Sequence, residues 1–481
     1  MAEQLFLLTL FFLWLAFSPL TFPRHLPPTS KTCTLNVTSS VTHESQPRTH
    51  SPPNSSSLTL KIHSRDSLLN SDPHHNQTNY KSRLLTRLAR DSARVNSLQA
   101  RLDLAVRGMP NSDLQPSMKT TTNGLESPIV SGTSQGSGEY FTQVGIGSPP
   151  RQLYVVIDTG SDVSWVQCSP CSECYSQSDP IFDPLTSSSF ASLSCDSPIC
   201  GALELSECRG DRCIYEVAYG DGSFTAGDFV TETLTFSGGA AVDNVALGCG
   251  HSNEGLFIGA AGLLGLGHGA LSLPSQINST SFSYCLVDRD SDSASILEFN
   301  PAESPSLNSV DSVSAQLIKN PQMDSFYYVG LTGIAVGGNP LEIPETSFQI
   351  DGDGNGGVIV DSGTAVTRLE SAVYESLRDE FRRLTSHLRV AEGVALFDTC
   401  YNLSGQTSVE VPAVELVFAG GRRLTLPAKN YMIPVDSEGT FCLALAGTTS
   451  SMCIIGNVQQ QGTRVGFDLA NQVVTFEPNR C

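Results

Sequence analysis

The hydrophobic positions of this chain fall into distinct regimes. Leu5 to Phe17 is apolar except for Thr9 and gives way to Ser18-Pro19. That run is too short to cross a bilayer and has the length of a secretory signal core, which places a signal peptide over residues 1–18. From Pro19 to about residue 79 the chain is rich in Ser, Thr, Pro and Asn, shows no sustained apolar period, and reads as largely flexible. Residues 81–107 then place Leu85, Leu88, Val95, Leu98, Leu102 and Ala105 at three- and four-residue steps, with Gly108 and Pro110 ending the run. This predicts an amphipathic helix. Past a Gly/Ser-rich stretch at 131–138, short apolar or alternating runs separated by Gly, Pro, Asn and Asp predict strands, among them 140–146, 153–157, 229–236, 326–336, 358–360, 416–418 and 473–476. The one convincing helix there is 371–384, with Val373, Leu377, Phe381 and Leu384 on one face. The expected architecture is an all-β body with few short helices, preceded by a helical segment.

Composition and charge add to this. Of 481 residues, 40% are hydrophobic and 16% charged, with 41 Gly and 27 Pro, a turn-rich globular chain rather than a fibre. Residues 1–125 hold 13 basic and 7 acidic side chains, whereas residues 126–481 hold 15 and 41. So acidic a body repels a phosphate backbone, which argues against nucleic acid as a partner. The other face of the predicted helix carries Lys81, Arg83, Arg87, Arg90, Arg94, Arg101 and Arg107. It is either a solvated basic face or, attached in cis to that body, a face with an electrostatic reason to dock. The second reading makes residues 19–125 a removable inhibitory prosegment. The low-complexity residues 300–314 then divide the remainder into lobes at 126–314 and 315–481.

Two copies of one pattern organise the body. An apolar run, Leu153 to Ile157, leads into Asp158-Thr159-Gly160-Ser161, and Val358 to Val360 leads into Asp361-Ser362-Gly363-Thr364. A second pair follows in the same order, Leu263-Leu264-Gly265 and Ile454-Ile455-Gly456. A lone Asp-Thr-Gly is an ordinary turn; the doubled, ordered arrangement points to two facing carboxylates. Such a pair shares one proton, because like charges that close cannot both ionise, and so supplies an acid and a base together. The ionised member takes a proton from a bound water while the protonated one donates to the carbonyl oxygen under attack. Gly160 and Gly363 let backbone amides approach the carboxylates. No metal, cofactor or covalent nucleophile is required.

On these motifs the sequence resembles the pepsin-like aspartic endopeptidases and their plant nepenthesin-like branch, closest to the guard-cell type. Gly138-Glu139-Tyr140-Phe141, Tyr219-Gly220-Asp221-Gly222-Ser223 and Gly456-Asn457-Val458-Gln459-Gln460-Gln461 carry the closer likeness. The resemblance implies a bilobal fold with lobes related by a pseudo-two-fold axis and Asp158 and Asp361 as the catalytic dyad. Ser161 and Thr364 match residues that hydrogen-bond the outer carboxylate oxygens, and Thr159 and Ser362 match a pair tying the two loops together. Tyr219, with Gly220 and Asp221, matches the tip of a flap over substrate, and Trp165 matches the indole partner of its tyrosine. Asp221 stands where the wider family has another residue.

The resemblance also implies the disulfides Cys168–Cys171, Cys174–Cys249, Cys195–Cys213, Cys200–Cys208, Cys285–Cys481 and Cys400–Cys442, a set that spacing alone could not choose. It leaves Cys453 buried and inert, and Cys33 in the segment to be removed. With only three histidines after residue 125, the run Cys168, Cys171, Cys174 favours disulfides over a metal site. Sequons at Asn36, Asn54, Asn76, Asn278 and Asn402 fit a glycosylating route, with Asn278 and Asn402 in the body. Asp351-x-Asp353-x-Asn355 imitates a calcium loop but has Ser362 where the bidentate Glu belongs. Gly132-x-Ser134-x-Gly136 imitates a hydrolase elbow but lies in a linker. The expectation is a monomeric aspartic endopeptidase without a stable membrane anchor. It would act on proteins or peptides at acidic pH, and be secreted as a zymogen to the cell exterior or held in the endoplasmic reticulum or vacuole. A non-catalytic inhibitor or binding protein on the same scaffold is the alternative.

Overall fold

The computed structural model describes residues 31–38, 57–65, 67, 80–109, 140–219, 223–255, 257, 259–288, 291, 293–301 and 312–481. The expected signal peptide, the 131–138 linker and the sequons at Asn54 and Asn76 lie outside these residues.

Each lobe is built around the repeated motif. In the first, strand Arg151–Asp158 runs parallel to Gly262–Gly265, with Gly265 opposite Asp158. Strand Trp165–Gln167 lies antiparallel beside Gly262 and Leu263 and parallel to Gly248 to Gly250. The second lobe repeats this. Val358–Val360 runs parallel to Cys453–Ile455, while Thr367–Glu370 is antiparallel to it at Arg368 and parallel to Leu445–Thr448. The apolar pairs preceding Gly265 and Gly456 are therefore the strands that flank the two Asp-bearing turns. Buried on both faces, they read as short continuous apolar runs rather than alternating ones.

An antiparallel sheet joins the lobes, in the order Tyr140–Ile146, Leu58–Ser64, Ser295–Phe299, Ser281–Cys285, Thr463–Asp468, Val473–Pro478 and Val313–Ile318. Leu58–Ser64 is an exception to the expectation that residues 19–79 are largely flexible. Its Leu60 and Ile62 alternate into the core and are fully buried. Thr32–Asn36 is a second exception, pairing with Ser408–Pro412 and burying Leu35. The period-two signal was present but only five to seven residues long, too short to stand out from a polar surround. Strand Val313–Ile318, which spans the expected 314/315 boundary, pairs with the C-terminal strand Val473–Pro478.

Helix Ser371–Leu384 forms where its apolar spacing placed it, burying Val373, Leu377 and Phe381, with Arg382 and Arg383 in the last turn favourably placed against the helix dipole. The long helix Tyr80–Val106 lies in the cleft between the lobes. It buries Leu84, Leu88, Val95, Leu98 and Leu102, whereas Leu85, expected on the apolar face, is 40% exposed. Its basic face is solvated only towards the ends, at Lys81, Arg83 and Arg107, whereas Arg87, Arg90, Arg94 and Arg101 are buried with it.

Four of the implied disulfides are corrected: Cys168–Cys171, Cys174–Cys249, Cys195–Cys213 and Cys200–Cys208 do not form. The bridges are Cys168–Cys249, Cys171–Cys174, Cys195–Cys208 and Cys200–Cys213, together with Cys285–Cys481 and Cys400–Cys442. Burial explains the exchange. Cys208 and Cys213 face each other across a hairpin, yet Cys213 points into the core and meets buried Cys200, while exposed Cys208 meets the half-buried Cys195. Cys168 continues the strand paired with Gly248 to Gly250 and lies beside Cys249, Cα to Cα 5.3 Å, within bridging reach. Among the described residues Cys33 and Cys453 are free, the latter fully buried and its thiol pushed up to about 11 by that burial.

Candidate active site

Asp158 ends its strand and Asp361 follows directly on its own, so the two parallel pairings deliver both carboxylates to the floor of the cleft. Both are fully buried. The amide of Gly160 donates to Asp158 Oδ1 at 2.9 Å and the amide of Gly363 to Asp361 Oδ1 at 3.1 Å. Ser161 Oγ donates to Asp158 Oδ2 in a short hydrogen bond, and Thr364 Oγ1 to Asp361 Oδ2 at 2.6 Å. Thr159 and Ser362 cross between the loops. The Ser362 amide donates to Thr159 Oγ1 at 2.9 Å and the Thr159 amide to Ser362 Oγ at 3.2 Å. These reciprocal bonds fix the separation of the turns, which neither lobe could set alone.

Beneath them, Gln460 Nε2 donates to Asp361 O at 3.2 Å and Asn457 Nδ2 to Ser362 O at 2.9 Å. The Gly456-to-Gln461 stretch, a likeness in the sequence, is thus the support of the second turn. Asp162, which sequence reasoning passed over, ties the lobes as well. It accepts from Ser325 Oγ in a short bond and from the Gly269 amide at 2.9 Å, and burial raises its carboxyl above the ordinary range despite these donors.

Strands Arg212–Ala218 and Phe224–Thr235 form the flap hairpin, with Ala218 opposite Phe224 and the Tyr219 amide donating to Ser223 O at 2.8 Å. Gly220 and Asp221 lie outside the described residues. Trp165 Nε1 donates to Tyr219 Oη at 3.1 Å. Phe257, absent from the sequence reading, packs edge-on to both rings, at 4.9 Å from Trp165 and 5.2 Å from Tyr219.

A residue that sequence reasoning listed but did not single out occupies the dyad. Arg94 donates to Asp158 through Nη1 (2.8 Å to Oδ2) and Nη2 (2.5 Å to Oδ1). It donates to Asp361 through Nη2 (3.1 Å to Oδ1) and Nε (3.2 Å to Oδ2). One nitrogen therefore touches the inner oxygen of each carboxylate. Burial alone would raise Asp158, but the charge and hydrogen bonds of Arg94, with Ser161 and Gly160, hold it below the ordinary carboxylate range. Burial likewise works against the guanidinium, and the two carboxylates raise it further above its ordinary value. Both active-turn glycines make room for it: a Cβ on Gly160 would meet Arg94 Nη2 at 2.5 Å, and one on Gly363 would meet Cζ at 2.7 Å. Arg101 Nη1 donates to Gly160 O at 2.7 Å and its guanidinium lies over the Phe326 ring. Between helix and flap a cavity of about 180 Å³ remains, lined by Arg101, Ser161, Asp162, Leu203, Tyr219 and Leu271.

No cluster of three or more potential metal ligands exists among the described residues. The Asp351 carboxylate is bonded within its own turn, to the amides of Asp353 and Asn355. No described helix is long and apolar enough to cross a membrane.

Two facing Asp-Thr/Ser-Gly turns at the base of a two-lobed β cleft, with a flap Tyr above, define the class of aspartic peptidases. Residues 140–299 match the family model described as xylanase inhibitor N-terminal, and residues 326–478 the one described as xylanase inhibitor C-terminal. The chain is 49% identical over 84% of its length, and 84% of the relative's, to Protein ASPARTIC PROTEASE IN GUARD CELL 2 of Arabidopsis thaliana. It is 51% identical over 82% of its length, and 81% of the relative's, to Aspartyl protease family protein 2 of the same plant. To aspartic proteinase nepenthesin-2 of Nepenthes gracilis it is 41% identical over 76%, covering 82% of that protein. The fold is shared with the crystal structure of edgp (TM-score 0.59, 20% identity, 70% of this chain and 91% of that one) and with basic 7S globulin from soybean (TM-score 0.57, 21% identity, 70% and 92%). This chain belongs to the plant branch of the pepsin-like aspartic proteases and is an aspartic-type peptidase.

Proposed function

We propose that the protein is an acid endopeptidase made as a zymogen, in which the Asp158–Asp361 pair activates water and the helix Tyr80–Val106 holds the pair silent until it is removed. The observation that carries the reading is the single Arg94 guanidinium contacting both carboxylates, which requires them to face one another across a gap of one group. With Arg94 withdrawn, two buried carboxylates at that distance retain one proton between them. Water takes the place of the guanidinium. The ionised carboxylate accepts its proton as it attacks the scissile carbonyl, and the protonated one donates to the carbonyl oxygen. Ser161, Thr364 and the Gly160 and Gly363 amides keep the two groups oriented throughout. Tyr219, braced by Trp165, closes the flap over the bound peptide.

The cleft is complete within one chain, in keeping with a monomer. Six disulfides support folding in an oxidising, secretory compartment, with export to the cell exterior. Asn278 is exposed and Asn402 partly so, as glycan acceptors require.

A non-catalytic role on this scaffold, the reading that the xylanase-inhibitor wording of the family models suggests, has against it the intact turns, cross-loop bonds and flap tyrosine. The test is incubation of the processed protein with a peptide library at acidic pH, with and without pepstatin. Cleavage blocked by pepstatin and lost in Asp158→Ala and Asp361→Ala is expected; cleavage undiminished in either variant overturns the mechanism.

A further inference from the structure

The long helix does a second thing in the cleft. One turn before Arg94, the buried Asp91 is held by the C-terminal lobe. Its Oδ1 accepts from the amides of Ala365 (2.5 Å) and Val366 (3.3 Å), and its Oδ2 accepts from Arg368 Nη2 (2.5 Å). Arg368 is itself braced, donating through Nη1 to Val366 O at 2.8 Å, and its side chain is 5% exposed. All three donors belong to the peptidase body, starting four residues after Asp361. The carboxylate they hold belongs to the segment proposed to leave. Among the described residues, Asp91 is the one acidic group in ion-pair contact with Arg368.

The pseudo-symmetry explains why this position faces the cleft. Arg368 lies opposite Ile454 in the second lobe as Trp165 lies opposite Leu263 in the first, each seven residues after its aspartate. In the first lobe the position is covered by the flap, through the Trp165–Tyr219 hydrogen bond. In the second lobe the helix Tyr80–Val106 lies over it instead. Removing that helix leaves a guanidinium and two amides converging on a point that lately held a carboxylate. Arg368 stays braced by its own bond to Val366 O, so the uncovered donors remain aligned to receive another anion.

We propose that Arg368 with the Ala365 and Val366 amides forms a carboxylate-binding subsite, filled by Asp91 in the precursor and by an Asp or Glu side chain of the substrate in the processed enzyme. The proposal rests on the peptidase reading. Three helical residues separate Asp91 from Arg94, an advance of about 4.5 Å. An extended peptide covers that in one to two residues, which places the acidic side chain within two positions of the scissile bond.

The test uses the processed enzyme and a peptide set in which a single Asp, or Asn as its uncharged match, is moved through the positions flanking one scissile bond. It is run at about pH 5, where a free Asp is ionised. Expected is a kcat/KM ratio of Asp over Asn peptide of at least tenfold at one position within two residues of the bond. The ratio should fall to about one in Arg368→Gln and be retained in Arg368→Lys. A ratio near one at every position in the unmodified enzyme overturns the subsite, whatever the variants do. So does a preference that survives Arg368→Gln, which would make the pair an anchor for the helix alone. Failure to cleave any peptide would instead sink the peptidase reading.

Discussion

Replacing Arg94 by Ala in the full-length chain removes the one side chain, among the described residues, that hydrogen-bonds both dyad carboxylates. Deleting one partner of a buried ion pair costs about 3–5 kcal/mol. The lower end applies here, because the two carboxylates left behind can share a proton and so relieve part of their repulsion. The helix does not fall away, since five buried apolar side chains contribute about 1.5–3 kcal/mol each before the entropy of docking is counted. Asp91 and Arg101 also still hold. Docking weakened by about 3 kcal/mol moves the closed-to-open equilibrium roughly a hundredfold. The assay is the initial rate of fluorogenic-peptide cleavage by the full-length chain at mildly acidic pH, taken before any shortening of the chain is visible on a gel. Arg94→Ala should exceed the unmodified precursor by about that factor. Arg94→Lys, which keeps the charge but loses the fork that reaches both carboxylates, should fall between. A variant as silent as the parent, with residues 80–106 no more accessible to an added protease, would refute the reasoning.

Other outcomes follow from the same geometry. Asp158 is held below the ordinary range in the docked state, so its contribution to docking is present above the free carboxylate pKa and is lost as pH falls through the docked value. Asp91, raised by burial, works in the opposite sense. The net release should therefore grow as pH falls through the acidic range, as loss of amide protection across residues 80–106 in brief hydrogen-exchange labelling; protection unchanged from neutral pH down to pH 3 would contradict the assignment. Trp165→Phe and Tyr219→Phe each delete the same 3.1 Å hydrogen bond, worth about 1 kcal/mol, so each should lower kcat/KM about fivefold and the double variant little further. Independent, additive losses would show that the bond does not brace the flap. Removing Cys285–Cys481, which spans 196 residues, should cost about 2–5 kcal/mol in urea unfolding, and removing Cys171–Cys174, which spans 3, far less. Equal losses would argue against chain entropy as the cause.

Much of this was legible in the chain because its signals are local or repeated. The strand–Asp–Gly turns announce themselves twice, the helix 371–384 has a clean apolar stripe, and the basic run before the body has a period that needs no partner to be seen. What a sequence does not contain is which groups meet. Six basic side chains lie on the long helix, and only the path of that helix through the cleft selects Arg94 for the dyad and gives Asp91 to Arg368. The cysteines show the same limit: six pairs were expected, burial on the two sides of the Arg212–Ala218 strand re-paired two of them, and the pairing of Trp165–Gln167 with Gly248 to Gly250 re-paired two more. The residues alone determined two carboxylates in matched turns and a basic segment of opposite charge to close over them. Tertiary structure decided their facing distance, the arginine between them and the second-lobe site beside them, because each depends on contacts between residues tens to hundreds of positions apart.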